Sequence, residues 1–366
     1  MPIVYINGKF CAQPMTGVQR YAYNLVLALD ALPLAEPRCV LLCPPGAAQP
    51  ALRSVEVRAV GPSGLPLHLW EQLVLPWAAR RGLLLNLAGS APLFASRQWC
   101  TFHDAAVFDH PASYTRAFVA WYRLHFRWLA RHAERLLTVS AHSRARLALQ
   151  LGMAPTAIGI VPNGGDHFAV VEADTRVLST LGLTDRCFVL AVGSDNPTKN
   201  LAALVRAWQE LQADPSLRLV IVGDSDPAVF AAAAGTACAA VKVAGVLRAG
   251  RVGDGELKAL YGAALGLVFP SLDEGFGLPP LEALSLGCPV AAARVGAVPE
   301  VCGDAVLYFD PHSVPAITAA LRELIADAGL RQRLAASGRK RAADWTWQQS
   351  ALSLTRLLTP CAGRPA

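Results

Sequence analysis

Apolar positions along the chain gather in short runs. β-Branched and leucine-rich runs occur at 3–6 (IVYI), 39–43 (CVLLC), 83–87, 135–140 and 158–164, and again at 187–193, 217–223, 266–271, 288–293 and 305–310. Runs of this length, apolar on successive positions, predict strands buried on both faces. Helices are predicted between them at 17–32, 114–134, 141–151, 198–213, 255–264, 279–286 and 313–343. Strand and helix alternating in this way predict an α/β chain of parallel sheets covered by helices. About ten strands suit two doubly wound sheets better than one overlong sheet. The punctuation Pro162-Asn163-Gly164-Gly165 marks the boundary, giving lobes over 1–165 and 166–345. A last helix, about 346–366, is expected to return to the first lobe.

Composition narrows the picture. With 366 residues and 53% hydrophobic side chains, the chain can bury two cores. No apolar run reaches the ~18–20 residues of a membrane-spanning helix. The opening MPIVYINGKF has no basic stretch followed by an apolar one, so it reads as a first strand, and the expected location is cytoplasmic. Nine dispersed cysteines without a C-x-x-C pair indicate reduced thiols and no zinc site.

Charge is uneven. Residues 1–165 carry 15 Lys/Arg against 7 Asp/Glu, a net +8, whereas residues 166–366 carry 18 against 20, a net −2. A basic first half suggests an anionic partner, whether nucleic acid, membrane surface or phosphorylated substrate, the alternative being a solvated surface that is rich in arginine. The basic residues form no recognised nucleic-acid motif, so that partner is set aside. In the 114–134 helix, Arg123, Arg127 and Arg131, with Arg135 just beyond, recur every four residues beside Trp121, Tyr122, Phe126 and Trp128. Such a face suits an anionic bilayer, with the protein peripheral at the inner side of the membrane, or a lipid-diphosphate. It equally suits a core helix with solvated arginines.

In open parallel sheets ligands bind beyond the carboxyl ends of the strands. Residues 268–311 follow one such end: VFPSLDEGFGLPPLEALSLGCPVAAARVGAVPEVCGDAVLYFDP. A glycine-rich turn, Glu274-Gly275-Phe276-Gly277, feeds a helix whose first turn holds Pro279 and Pro280, where a missing N–H does no harm. The turn can offer backbone N–H groups and the positive helix end to an anion. Glu274 and Glu282 stand on the same rim and suit a polyhydroxylated, phosphorylated ligand. By residues alone, a helix-opening Glu or a hydrolase acid/base pair also remains open.

The stretch resembles the E-x7-E signature of the large retaining glycosyltransferase family that includes bacterial mannosyl-, glucosyl- and N-acetylglucosaminyltransferases and sucrose-phosphate synthases. The likeness runs through PS-x-x-EGFGLP-x-LEA, G-x-PV, PE-V-x-GDA and FDP. It implies the GT-B fold, two Rossmann-like lobes with a cleft between them, the donor nucleotide being held mainly by the second. It implies that Glu274 accepts hydrogen bonds from the donor sugar, that amides of Gly275, Phe276, Gly277 and Leu278 reach sugar and phosphate, and that Glu282 binds the ribose hydroxyls.

Further loops carry the same resemblance. Gly193-Ser-Asp-Asn-Pro-Thr-Lys-Asn200 is similar to the family's phosphate loop, which puts Lys199 at the diphosphate; Thr198 stands where the family commonly has Arg, so one cation is missing. Cys100-Thr-Phe-His-Asp104 is similar to the first-lobe "HD" loop, which puts His103 and Asp104 near the transferred sugar, with the imidazole as a hydrogen-bond donor. Gly17, in MTGVQRY, is similar to the glycine loop that faces phosphate or acceptor, and Val252 to the loop whose backbone meets the base. Asp224-Ser-Asp226 looks like a metal-holding pair of another fold, a role rejected here. No metal or cofactor is expected.

The reading is therefore retaining transfer from a GDP- or UDP-sugar to a hydroxyl acceptor. The opening YINGKF-x(5)-TGVQRYAYNL resembles polysaccharide-assembly transferases and points to a glycan or lipid-linked acceptor and GDP-mannose. A sugar-nucleotide epimerase and a non-catalytic sugar-nucleotide-binding protein are the alternatives.

Overall fold

The computed structural model describes residues 3–33, 37–211, 214–223 and 243–362. The predicted Asp224-Ser-Asp226 pair lies outside these residues. The chain forms two compact units. One comprises Met1–Ala105, Trp121–Gly164 and Thr346–Ala366; the other comprises Ala106–Ala120 and Gly165–Trp345.

The first unit holds a seven-stranded sheet of β1 (Ile3–Asn7), β2 (Arg38–Cys43), β3 (Glu56–Ala59), β4 (Leu83–Asn86), β5 (Gln98–Thr101), β6 (Arg135–Thr138) and β7 (Ile158–Ile160). Its order is β3-β2-β1-β4-β5-β6-β7, every pairing parallel. Central strands are buried end to end, as at Ile6, Leu41, Leu84 and Leu85. Each such side chain contributes about 1.5–3 kcal/mol relative to exposure. Tyr5, Val40, Leu42, Trp70 and Leu75 pack together on one face. The helices Gly17–Ala31 and Trp347–Ala362 pack against each other, Tyr21 meeting Trp347 edge-on at 6.0 Å.

The second unit holds β8 (Phe188–Val192), β9 (Arg218–Val222), β10 (Val246–Gly250), β11 (Gly266–Phe269), β12 (Val290–Ala293) and β13 (Leu307–Phe309). They run parallel in the order β10-β9-β8-β11-β12-β13. Both sheets reverse their strand order once, between β1 and β4 and between β8 and β11. In open parallel sheets such reversal points, beyond the carboxyl ends of the strands, are where ligands bind.

Several elements depart from the sequence expectation. β3 and β10 are half-exposed edge strands, EVRA and VLRAG, and so lack an apolar run. β5 is central but carries Gln98, whose buried side chain is satisfied by the Pro92 carbonyl and by Asn86. The 313–343 stretch is two helices, Val314–Ala326 and Ala328–Ala342, parted at Asp327, whose carboxylate caps the second by accepting from Leu330 N at 2.8 Å. The helix expected from 198 begins at Leu201, because Asn200 takes a left-handed φ of 56° after a 3-10 turn over Pro197–Lys199.

Candidate functional site

In the second unit, the loops after β8 and β11 meet at the reversal point. Leu272 N donates to the Thr198 carbonyl at 2.7 Å, and Asn200 Nδ2 donates to the carbonyls of Pro270 and Pro311 at 3.2 and 2.9 Å. These bonds bring Lys199 and Glu274 together: Nζ lies 2.5 Å from Oε1, with the side chains 25% and 11% exposed. Glu274 is held from behind as well. Ala297 N donates to its carbonyl at 3.0 Å, and its own N–H donates to Asp273 Oδ1 at 2.9 Å. Gly296 allows this approach, since a Cβ there would come within 2.4 Å of the Glu274 carbonyl oxygen. Thr198, where a second cation is expected, is buried and serves the loop through its backbone.

The turn after Glu274 climbs through Gly277, at φ 93°, into the helix Leu278–Ser285. Pro279 and Pro280 have no N–H, and Leu281 N donates to the Gly277 carbonyl at 3.3 Å. Within the first helical turn, the Leu278 amide is therefore the one not committed to an intrahelical hydrogen bond. Phe276 is buried edge-on against Trp345, centroids 5.4 Å apart, which anchors the turn through its side chain. Val252 is half-buried just beyond β10, where Arg248 Nη1 reaches Asp195 Oδ1 at 2.8 Å.

Glu282 sits one helical turn further in and is nearly enclosed. Tyr261 OH donates to its Oε2 at 3.0 Å, and His167 Nε2 lies 3.2 Å from its Oε1. Neither neighbour is among the predicted site residues. His167 and Tyr261 read as ordinary core aromatics, and no local pattern links them to Glu282.

In the first unit, His103 follows β5. Its Nε2 lies 2.9 Å from the Leu87 carbonyl, which can only accept, so Nε2 carries the proton. Burial lowers the imidazole below its ordinary value near 6.5, so the neutral ring is favoured. It then presents Nδ1 as an acceptor, whereas the sequence reading makes it a donor. Its ring packs edge-on against Tyr21 at 4.8 Å. A Cβ added to Gly89 would lie 3.8 Å from Val18 Cγ1 and 3.9 Å from the His103 ring, so the Gly17 turn, Gly89 and His103 come together. A Cβ at Gly17 would meet nothing within 4 Å, so internal packing does not require a glycine there. Asp104 is half-buried beside His103.

Close by lies a buried polar cluster that sequence reading missed. Lys9 Nζ contacts Glu71 Oε2 at 2.7 Å and Ser90 Oγ at 3.3 Å, while Asn7 Nδ2 donates to Glu71 Oε1 and Asn86 Oδ1, both at 3.0 Å. Glu71 stands on a π turn, Trp70–Val74, that joins the short helices Leu67–Leu69 and Leu75–Ala78. Every Lys9 proton has a partner, His68 Nδ1 at 3.3 Å being the third, so the cluster ties the strand ends together.

The arginine face is shorter than expected. The helix is Arg116–His132, and Arg135 lies on β6, half-buried over the Trp99 ring at 5.2 Å. Arg127 and Arg131 are exposed and Arg123 half-buried, with Leu124 63% exposed among them and Trp121 exposed as well. Phe126 is core, stacked on Phe102 at 3.7 Å. Among the described residues no helix is long and apolar enough to cross a membrane, and no group of three His, Cys, Asp or Glu side chains is arranged to hold a metal ion.

Comparison with known proteins gives consistent matches. The family model "Glycosyl transferases group 1" matches residues 180–341, and "Glycosyltransferase Family 4" matches residues 15–167. The O-antigen chain mannosyltransferase B of Escherichia coli is 31% identical over 258 residues, covering 68% of this chain and 66% of that protein. This chain thus spans just under two thirds of that relative's length. A D-inositol 3-phosphate glycosyltransferase of Actinosynnema mirum is 32% identical over 299 residues, covering 78% of this chain and 70% of its own. Among solved structures, Anabaena HepE in complex with UDP-glucose superposes with a TM-score of 0.72 at 17% identity, over 98% of this chain and 100% of that one. At that identity the likeness speaks for the fold, a GT-B arrangement of two parallel-sheet α/β lobes.

Proposed function

The chain belongs to the group 1 glycosyltransferases, and we propose that it moves a hexose, mannose from GDP-mannose, onto a hydroxyl of a lipid-linked glycan in bacterial polysaccharide assembly, with retention and without a metal ion. The observation that carries the reading is the Lys199–Glu274 contact at the reversal point of the second sheet. An ammonium and a carboxylate held together there match the two ends of a sugar diphosphate. Glu274 accepts from the sugar hydroxyls and fixes its orientation. Lys199 faces the diphosphate, where negative charge grows as the glycosidic bond breaks. Glu282 accepts from the ribose, amides of Gly275 to Leu278 serve sugar and phosphate, and the backbone at Val252 meets the base. His103 accepts a hydrogen bond from a sugar hydroxyl at Nδ1, with Asp104 beside it, and the Gly17 turn lets backbone approach phosphate or acceptor.

The chemical step follows from these assignments. The acceptor oxygen attacks the anomeric carbon from the face the diphosphate is leaving. The new C–O bond forms as the bond to phosphate breaks, and the acceptor proton passes to the departing phosphate oxygen. The second unit supplies a cation for that oxygen in Lys199, in the place a divalent ion would take. Mannose as the sugar follows the E. coli O-antigen relative; UDP-glucose, as bound by HepE, is the competing donor. The exposed Arg127 and Arg131 beside Leu124 and Trp121 support docking on an anionic membrane, where a lipid-linked acceptor resides.

Thermal-shift screening against GDP-, UDP-, ADP- and dTDP-sugars tests the donor, and transfer from the stabilising donor to a lipid extract tests the reaction. Conversion of the donor sugar without any acceptor would replace this reading by an epimerase. Binding without turnover would leave a sugar-nucleotide-binding protein.

A further inference from the structure

Apolar side chains standing singly at a protein surface are ordinary, but a group of them marks an interaction surface. Among the described residues ten large apolar side chains are exposed, and six of them fall on three segments of the first unit: Leu69, Leu73 and Trp77, then Phe94, then Trp121 and Leu124. The first three stand on the short helices Leu67–Leu69 and Leu75–Ala78 and on the π turn Trp70–Val74 between them. Trp70, Glu71, Leu75 and Ala79 take the inner face and are buried, which leaves every fourth residue, Leu69, Leu73 and Trp77, facing out.

Hydrogen bonds set the three segments side by side. Gln72 Nε2 donates to the Ala91 carbonyl at 3.1 Å, and Leu93 N donates to Gln72 Oε1 at 2.9 Å. From the other side His125 Nε2 donates to the same Ala91 carbonyl at 2.8 Å, and Trp128 Nε1 to the Leu93 carbonyl at 2.9 Å. Phe94 thus stands on a loop clamped between the two helical segments, its ring edge-on to Trp128 at 5.6 Å. Leu73, Trp77 and Phe94 are 65, 68 and 73% exposed, so most of each side chain meets solvent.

The charge around these side chains has one sign. Residues 67–81 contain a single acid, the buried Glu71, and residues 91–97 and 116–132 contain none. Arg80, Arg81 and Arg131 are exposed, and the Arg80 guanidinium lies over the Trp77 ring at 4.3 Å. Leucine, tryptophan and phenylalanine beside arginines alone is the composition that enters the boundary between lipid headgroups and acyl chains.

We propose that Leu69, Leu73, Trp77 and Phe94 form an insertion face, which the first unit sinks into the acyl boundary of an anionic bilayer while Arg80, Arg81 and Arg131 hold the headgroups. The proposal rests on the reading that the protein docks on an anionic membrane, and it adds inserted apolar side chains to the arginines that carry that reading.

The test is co-sedimentation at low salt with vesicles of phosphatidylglycerol and phosphatidylcholine. The native protein binds, and Leu69→Gln/Leu73→Gln lowers its partitioning about tenfold or more, since two apolar side chains no longer leave water. Trp77→Phe, which keeps an apolar ring, binds like the native protein. When the phosphatidylcholine is brominated near the headgroup end of its acyl chains, tryptophan emission of the bound native protein is quenched, and that of Trp77→Phe is quenched distinctly less. If Leu69→Gln/Leu73→Gln binds as well as the native protein, or Trp77→Phe is quenched as fully, the arginines dock the protein alone, and insertion falls while the docking reading stands. If the native protein binds no vesicles, the docking reading itself fails and takes the proposal with it. Equal binding to vesicles of phosphatidylcholine alone overturns the choice of an anionic surface. A native dimer that Leu69→Gln/Leu73→Gln splits, without vesicle binding, means that the face joins two copies of the chain and likewise overturns the proposal. Melting curves check the fold of each variant, and Phe94→Ser repeats the test from the loop should Leu69→Gln/Leu73→Gln fail to fold.

Discussion

Replacing Lys199 by Ala removes one partner of a contact 2.5 Å long and leaves the Glu274 carboxylate, 11% exposed, without its cation. In the resting protein the loss is modest. A hydrogen bond between charged groups is worth about 1.5–3 kcal/mol, and the Lys199 side chain is a quarter exposed, which places the cost in stability toward the lower end. The reaction loses more. If Lys199 faces the departing diphosphate, its charge acts where charge develops, and removing one such donor costs about 2.7–4 kcal/mol, or roughly 10²–10³ in kcat. The assay is initial-rate sugar transfer at saturating donor beside a thermal melt of the same preparation. Lys199→Ala should melt within a few degrees of the native protein, about what 1–2 kcal/mol costs a chain of this size, while kcat falls by about two to three orders of magnitude. Because Lys199 and Glu274 contact one another, Lys199→Ala and Glu274→Gln should combine less than additively. A Lys199→Ala enzyme that keeps kcat within about threefold of native, with its fold intact, would refute the assignment, since threefold is well under 1 kcal/mol.

Other outcomes follow from the same geometry. Transfer should survive EDTA; complete loss restored by Mn²⁺ or Mg²⁺ would sink the metal-free reading. Burial lowers His103 and His125 below their ordinary value near 6.5, His125 donating to the Ala91 carbonyl at 2.8 Å. The folded state therefore binds fewer protons than the unfolded chain, so their contribution is complete above about pH 6.5 and is lost as pH falls through the lowered folded values. Melting at about pH 5.5 should accordingly fall below that at about pH 7.5, and His125→Gln should narrow the gap; an unchanged gap in both His125→Gln and His103→Gln would contradict it. Reversing Arg123, Arg127 and Arg131 to Glu should abolish co-sedimentation with anionic liposomes at low salt, each arginine near the surface contributing about 1 kcal/mol. A native protein that stays in the supernatant at low salt removes the membrane claim.

The sequence carried most where physics is local. Central strands such as Val40–Cys43 and Val189–Ala191 are buried on both faces, so they appear as unbroken apolar runs, and the alternating helices make parallel pairing the expected outcome. Edge strands escaped for the complementary reason: Glu56 and Arg58 face solvent on β3, and a four-residue strand with two charges has no periodicity to detect. The glycine-rich turn after β11 was legible because glycine, proline and carboxylate follow one another within a single turn and helix, and Glu274 and Lys199, though 75 residues apart, each stand just past a strand end. What stayed hidden is whatever is made by convergence. Tyr261 and His167 have no mark of function in their own segments; one reads as the apolar side of a helix, the other as part of a turn. Only the packing of Phe168 and the reach of Lys258 bring both to the same carboxylate. The Lys9–Glu71 pair is the same case in the first unit, a lysine after one strand meeting a glutamate on a π turn that no helical period foretells. A motif thus marks residues that stand together in sequence, whereas the groups packed around them are set by the tertiary fold and leave no local trace in the chain.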